Sequence, residues 1–431
     1  MGIEMIKVCK AKQLPHTHPL HQDALPDGFP FLITGTTEEI VEPVFNYLYQ
    51  RYIYQMGNWC ANTVEAVCYD LLDWFNFLNY KSLDWIHAEE HELLEFRNAL
   101  LITTSPRSHR KLSSGTINRR ILHIMQFYNW GTIKGLYSGG IQLQEIKFIT
   151  ATNRNPLAHL GNVSTRLVQP RDLKLKLGQA SDDDIRILSR DAWLLIAQKI
   201  GPLPSTKGDS RPSRDRLAAE LAITTGMRVN EIAHLKVLEF CQLHIGDDPF
   251  SNVALTLTKT KRNKKRKILI PNFLLKEIIT YINSERLCAI TKSTKRNLRD
   301  IPQESLFVNH FDSRRNPGRA ISATTLSKAF RNAVIAAGLT EPSCKFNPET
   351  GKKYFSTTPK HSFHDLRHTF AINMYYSEIE AGNSEPWKKI QILLGHSQLQ
   401  TTVDTYLRTV EIEKVNFSKK LYSSIQLLMG H

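Results

Sequence analysis

Four short segments in the second half of this 431-residue chain hold residue types suited to work on a phosphate. The first is Thr225-Gly226-Met227-Arg228-Val229-Asn230-Glu231-Ile232. Gly226 can end the preceding helix, whose apolar face includes Leu217, Leu221 and Ala222, in a left-handed conformation, so Arg228 sits in a tight turn between two helices. A surface arginine paired with Glu231 would look the same. The second segment is the run 259–266, eight residues of which six are Lys or Arg, directly after an apolar stretch over 253–258. Lys259, at the end of a strand, is held better than a lysine in mid-turn, although a solvated cluster or an import tract has the same composition. The third is His364-Asp365-Leu366-Arg367-His368. Three residues apart on a helix, His364 and Arg367 share a face; both donate hydrogen bonds, and an imidazole can also move a proton. Helix surfaces carry such pairs without function too. The fourth runs Leu393-Leu394-Gly395-His396-Ser397 and continues to Tyr406. Gly395 can close one helix and Ser397 cap the next, fixing His396 between them. Tyr406 is in phase with Leu399 and Val403, as a core aromatic would be.

In this order and spacing the four segments resemble the tyrosine recombinase (phage integrase) family, over roughly residues 185–412. The resemblance aligns Arg228, His364, Arg367 and His396 with the family's basic catalytic positions and Tyr406 with its nucleophile. The family's hairpin lysine falls on Lys259 or Lys261; Lys259 is preferred because it follows the strand and precedes Thr260. What the resemblance implies is cleavage and rejoining of DNA through a 3′-phosphotyrosyl intermediate, in integration, excision or transposition of a mobile element. A tyrosine hydroxyl titrates near 10 and needs a proton acceptor, for which His364 is the candidate. Arg228 and Arg367 would clamp the nonbridging oxygens, His396 would add a hydrogen bond, and Lys259 would protonate the leaving 5′ oxygen. Glu231 and Asp365 are expected to orient these groups. No metal and no other cofactor is implied, because the tyrosyl ester keeps the phosphodiester energy for religation. A type IB topoisomerase, or a DNA-binding relic of a recombinase, are the competing readings.

These residues need a scaffold, and the chain divides accordingly. Residues 1–39, rich in Pro and His, are expected to form an irregular arm. Residues 40–150 read as a helical, DNA-binding (core-binding) domain. Within it Asn62 and Glu65 suggest a capping box ahead of Val64, Val67, Cys68, Leu71, Phe75 and Leu78 at helical spacing. A second stripe, Ile117, Ile121, Ile124 and Tyr128, accompanies Arg119 and Arg120, with Arg107, Arg110 and Lys111 just before it. Residues 151–180 read as a connector and 181–431 as the catalytic domain, with an apolar tail from about 410. The expected fold is mainly α, a helical domain and a mixed α+β domain clamping DNA, the latter with a small antiparallel β-sheet whose strands flank the basic turn.

Lys and Arg number 56 against 41 Asp and Glu, a net charge of +15 with neutral His. Residues 251–300 alone hold 13 Lys/Arg against 3 Asp/Glu, so most of the excess lies around the basic turn. That distribution favours a polyanionic partner, double-stranded DNA, with Lys261, Arg262, Lys264, Lys265 and Arg266 as candidate contacts beside Arg107, Arg110, Lys111, Arg119 and Arg120. The family assembles four protomers on two duplexes, so a homo-tetramer on DNA, monomeric or weakly associated when free, is expected. Six scattered cysteines with no CxxC pair, no long apolar run and no basic N-terminal leader pattern point to a cytoplasmic, nucleoid-associated protein without a membrane anchor.

Overall fold

The structure, a computed structural model, describes residues 5–12, 25–35, 37–55, 60–106, 108–149, 163–176, 185–257, 265–295, 304–313, 316–396, 398–400, 402–407 and 410. The chain forms two units, Met1–Gln179 with Cys344–Tyr354, and Ala180–Ser343 with Phe355–His431. Most described residues are helical, and the described strands pair as two-stranded sheets.

The first unit opens with β1 (Ile6–Lys10) and β2 (Pro30–Thr34), an antiparallel pair in register Ile6↔Thr34 to Lys10↔Pro30. This corrects the irregular arm expected over residues 1–39. Ile6, Phe29 and Leu32 bury their side chains in the same core as the helices, and that burial holds two five-residue strands that would be marginal alone. Then come α1 (Glu42–Tyr49), running into a π-helical turn, α2 (Ala61–Tyr80), α3 (Glu90–Ile102) and α4 (Ser114–Ile133). α2 starts one residue before the expected Asn62 cap. Cys60 occupies the cap position and makes no side-chain cap bond; its carbonyl accepts from the backbone N–H groups of Thr63 and Val64 instead. The apolar stripes of α2 and α4 face each other through Val64, Val67, Leu71, Trp74, Ile117, Ile121 and Ile124, all buried. At the centre the Trp74 indole N–H donates to the Tyr128 hydroxyl at 3.1 Å, and that hydroxyl donates to the Trp85 carbonyl at 3.1 Å. β3 (Gln144–Ile149) and β4 (Val163–Val168) form a second antiparallel pair, so part of the expected connector is a hairpin.

In the second unit, Ser189 caps α5 (Arg190–Ile200) by accepting from the Ala192 N–H at 3.2 Å. α6 (Arg214–Thr225), the short α7 (Val229–Ala233) and α8 (Leu238–Cys241) follow. The hairpin of β5 (Asn252–Leu257) and β6 (Arg266–Pro271) then leads into α9 (Asn272–Tyr281) and α10 (Leu287–Lys295). α11 (Ala323–Ala336), α12 (Phe363–Glu380) and α13 (Pro386–Leu394) complete it, with residues 402–407 again helical, while the strands β7 (Thr340–Phe346) and β8 (Lys353–Pro359) carry the chain into and out of the segment Cys344–Tyr354 that belongs to the first unit. The main core lies among α5, α6, α9, α11 and the inner face of β5 and β6. A smaller core, holding Phe370, Tyr375, Ile390, Leu394, Tyr406 and Val410, seats α12 against α13. No described helix is long and apolar enough to cross a membrane.

Trp74 combines full burial with a relay of two hydrogen bonds. Trp74→Ala is therefore expected to cost the first unit about 3–5 kcal/mol, read as a shift of its urea unfolding midpoint followed by tryptophan fluorescence.

Candidate active site

The site is built where two helices stop. Gly226 caps α6 at φ +67°, and Gly395 caps α13 at φ +68°. Both conformations favour glycine, and space forbids a side chain as well. A Cβ on Gly226 would stand 2.4 Å from Phe370 Cδ1, and one on Gly395 would stand 2.6 Å from Arg266 Cδ.

Arg367, on α12, lies beneath both turns and is 2% exposed. Its Nη1 donates to the Gly226 carbonyl at 2.6 Å, and its Nη2 donates to the Leu394 carbonyl at 2.7 Å. Nη2 also stands 3.3 Å from His396 Nε2. No carboxylate among the described residues forms an ion pair with it. Burial, followed by the charges of Arg228 and Arg266, pulls its guanidinium down to about 9.

Arg228 stands at the N-terminus of α7, between the capping Gly226 and the helix. Its backbone N–H and its Nη1 both donate to Glu231, each at 2.9 Å. Glu231 is 4% exposed and also accepts from Arg266 Nη2 at 2.5 Å. Burial raises its carboxyl, but Arg266, the Arg228 N–H and the Arg228 charge outweigh that and hold it below the usual carboxylate range. Glu231 thus orients Arg228, while Asp365 orients α12. The Asp365 carboxylate accepts from the Ser362 N–H at 2.8 Å and the Ser362 hydroxyl at 3.1 Å, a capping box that fixes the first turn.

Arg266 is a correction. Expected as a DNA contact, it is buried; besides Glu231 it donates to the Leu393 carbonyl, just before Gly395. The signal was present in the sequence: along β6 Arg266 alternates with Ile268 and Ile270, both fully buried, so all three share the inward face. Lys265 beside it is exposed. Lys259, Lys261, Arg262 and Lys264 lie outside the described residues, as do Arg107, Ser397 and all of the tail beyond Val410.

Tyr406 is 1% exposed, with its ring in the core of α12 and α13. Burial raises its hydroxyl above the usual value, while Arg367 and Arg228 are close enough to oppose the rise. The imidazole that meets that hydroxyl is His368: its Nδ1 lies 3.1 Å away, with the two rings edge-on at 5.6 Å. His364, expected as the proton acceptor, is the exposed residue of the otherwise buried first turn of α12, its ring 4.6 Å from that of His368. Partial burial and then the Arg367 charge hold His364 below its ordinary value. His396 has both nitrogens engaged, Nε2 with Arg367 and Nδ1 with the Thr402 hydroxyl at 2.8 Å. Burial and then Arg367 bring it down to about 4, so it is neutral at pH 7 and already committed to partners rather than free to donate.

In the first unit, Arg110 and Lys111 are exposed, and the Lys111 ammonium stands 5.8 Å over the Phe346 ring. Arg119 and Arg120 are less available than expected. Buried Asp70 pairs with Arg119 at 3.3 Å, Arg120 at 3.4 Å and His123 at 2.7 Å, and Arg120 also pairs with Asp73. Arg119 keeps half its side chain in solvent, whereas Arg120 is mostly covered. No cluster of three or more His, Cys, Asp or Glu among the described residues is placed to hold a metal ion.

Residues 198–411 match the family model described as the phage integrase family. Tyrosine recombinase XerA of Pyrococcus furiosus is 32% identical over 189 residues, 44% of this chain and 48% of that protein. The chain thus spans about half the length of this relative. Tyrosine recombinase XerC of Listeria welshimeri is 21% identical over 352 residues, 82% of this chain and 89% of its own. Among solved structures, the XerH site-specific recombinase bound to palindromic difH substrate in a post-cleavage complex superposes with a TM-score of 0.51 at 15% identity, covering 84% of this chain and 80% of that one.

Two outcomes are expected. Arg266→Leu should cost about 3 kcal/mol or more by leaving Glu231 half-paired in the interior. Lys265→Ala should stay within about 0.5 kcal/mol, both read from denaturant melts. Acidification should also weaken the fold. Neutral His368 and His396, each at about 4 against an ordinary 6.5, let the unfolded chain bind more protons between those values. Stability is therefore full above pH 6.5 and is lost as pH falls toward 4, checked by melts across that window.

Proposed function

The chain belongs to the phage integrase family of tyrosine recombinases, and on that premise we propose that it cuts and rejoins DNA through a 3′-phosphotyrosyl intermediate formed on Tyr406. One observation carries this reading: Glu231 pairs with both Arg228 and Arg266, while Arg367, close enough to feel their charges, has no carboxylate partner among the described residues, all next to a tyrosine hydroxyl. Such a cluster has positive charge to spare, and a desolvated site of that kind favours an anion. A phosphodiester supplies the charge and has the electrophilic centre that a tyrosine can attack.

Arg228, partly exposed and fixed by Glu231, and Arg367, rigid beneath the turns, hold the nonbridging oxygens as charge builds on them. Glu231 and the two turn carbonyls fix these guanidiniums within the fold. The lysine of the β5–β6 turn, Lys259 or Lys261, protonates the departing 5′ oxygen. The tyrosyl ester retains the energy of the broken bond, and the 5′ hydroxyl of the same or another strand reverses the step. Exchange between sites requires several protomers on two duplexes, and a tetramer acting on a mobile element is the setting proposed. Arg110, Lys111 and Lys265 are exposed cations suited to phosphate contacts along the duplex.

The test is covalent trapping on a nicked suicide duplex carrying the sequence that flanks the gene, in chelator and without ATP. The native chain should form an SDS-resistant adduct, and Tyr406→Phe should form none while still binding the duplex. Adduct formation that depends on added divalent metal would contradict the mechanism.

A further inference from the structure

Between α11 and α12 the chain leaves the second unit, and Cys344–Tyr354 belongs to the first. β7 and β8 pair there as a two-stranded sheet joined by a short turn. The turn is built to hold its shape. The Asn347 side chain accepts from the Glu349 N–H at 2.9 Å and the Thr350 N–H at 3.0 Å, while the Asn347 N–H donates to the Lys352 carbonyl at 2.9 Å. Gly351 closes it at φ +66°, in the left-handed region.

What the hairpin meets in the first unit is the loop over 105–111. The Phe346 N–H donates to the His109 carbonyl at 2.7 Å, and the Tyr354 hydroxyl stands 2.6 Å from His109 Nδ1. Phe346 then gathers cations from both segments around one ring, with Lys111 Nζ 5.8 Å and Lys353 Nζ 5.9 Å from its centre. Among the described residues of 105–111 and 344–354, Arg110, Lys111, Lys345, Lys352 and Lys353 are set against one carboxylate, Glu349. All of these cations but Lys345, which is half-buried, are exposed. Glu341, earlier on β7, is already paired with Arg186 at 2.8 Å.

Cations held together on a folded support repel one another, and a polyanion laid across them relieves that repulsion. We propose that this hairpin, although it comes from the catalytic half of the sequence, forms with the 105–111 loop a binding surface on the first unit for the phosphate backbone of duplex DNA. The inference rests on the reading of the chain as an enzyme that acts on DNA. Lysine ammoniums are hydrated point charges on flexible stems, which suit phosphates whatever the base sequence. The hairpin therefore supplies grip and no choice of sequence. It also gives the first unit cations in place of those that α4 spends internally, where Arg119 and Arg120 pair with Asp70.

The experiment measures binding of the full chain to two duplexes of equal length, one carrying the sequence that flanks the gene and one scrambled, from about 50 to 200 mM salt. Lys345→Ala, Lys352→Ala and Lys353→Ala made together should weaken binding to both duplexes by a like factor, about 10–100-fold. The slope of log affinity against log salt should flatten by about 2–3. Arginine at the same three positions should keep both affinity and slope. Glu349→Lys should act in the opposite direction, tightening binding and steepening the slope, which a misfolded hairpin would not do. As a control of equal charge, Lys199→Ala, Lys276→Ala and Lys328→Ala together alter exposed positions on α5, α9 and α11 and should leave the slope near native. A native slope in the hairpin variant would overturn the proposal and leave the patch to an acidic protein partner. An equal loss in the control would overturn it too, as an effect of net charge alone. Covalent trapping reads separately. A native chain that forms the Tyr406 adduct while the hairpin variant keeps the native slope loses this surface and retains the recombinase reading. A flattened slope without any adduct retains the surface and defeats Tyr406 as nucleophile, and a native chain that binds neither duplex defeats both.

Discussion

A guanidinium keeps its charge at neutral pH even where burial lowers it, so Arg367, buried without a carboxylate partner among the described residues, must be tolerated in other ways. Arg367 finds them at two helix ends. The carbonyls it binds, of Gly226 and Leu394, stand at the C-terminal ends of α6 and α13, where unpaired carbonyls and the negative pole of the helix dipole both favour a cation. One side chain thereby joins two turns that lie far apart in the chain. Both turns are glycine caps because each must take a left-handed backbone with no room for a side chain.

The remaining charges are arranged around that tie. Glu231 is a shared partner, holding Arg228 at the mouth of the site and Arg266 inside it. Arg266 in turn reaches the Leu393 carbonyl, so β6 is joined to the end of α13 beside His396. Buried ion pairs of this kind are weak sources of net stability, but they specify geometry, and here they fix the partly exposed Arg228 guanidinium. The positive charge left over is what a phosphate would neutralise.

Tyr406 combines a core ring with a polar contact at its tip. Its ring packs with Phe370, Ile390 and Leu394, which removes its freedom, while its hydroxyl projects to the His368 edge of α12. Helical phase alone marks it as a core aromatic, and that reading is correct for the ring. Only the last atom makes a polar contact.

The sequence by itself determined the fold class, the family and the residue types that gather at the site. Glycine caps, helical stripes and the order of the four segments are local signals that survive without coordinates. The inward direction of Arg266 was legible in the alternation of β6, but the run of neighbouring lysines obscured it. Tertiary structure alone decided which charges meet. Asp70 on α2 takes up Arg119 and Arg120 of α4 across some fifty residues of chain, turning part of an expected DNA face into internal ion pairs. The hairpin of β1 and β2 exists because Phe29 and Leu32 have a helical core to join, which composition near the Pro- and His-rich stretch did not reveal. The contact of His368 with Tyr406 likewise forms only when a segment nearly forty residues later folds back against its helix. A local pattern dictates how a segment turns and which face it buries. Which side chains then touch depends on distant segments brought together by burial, and for that the packed chain is required.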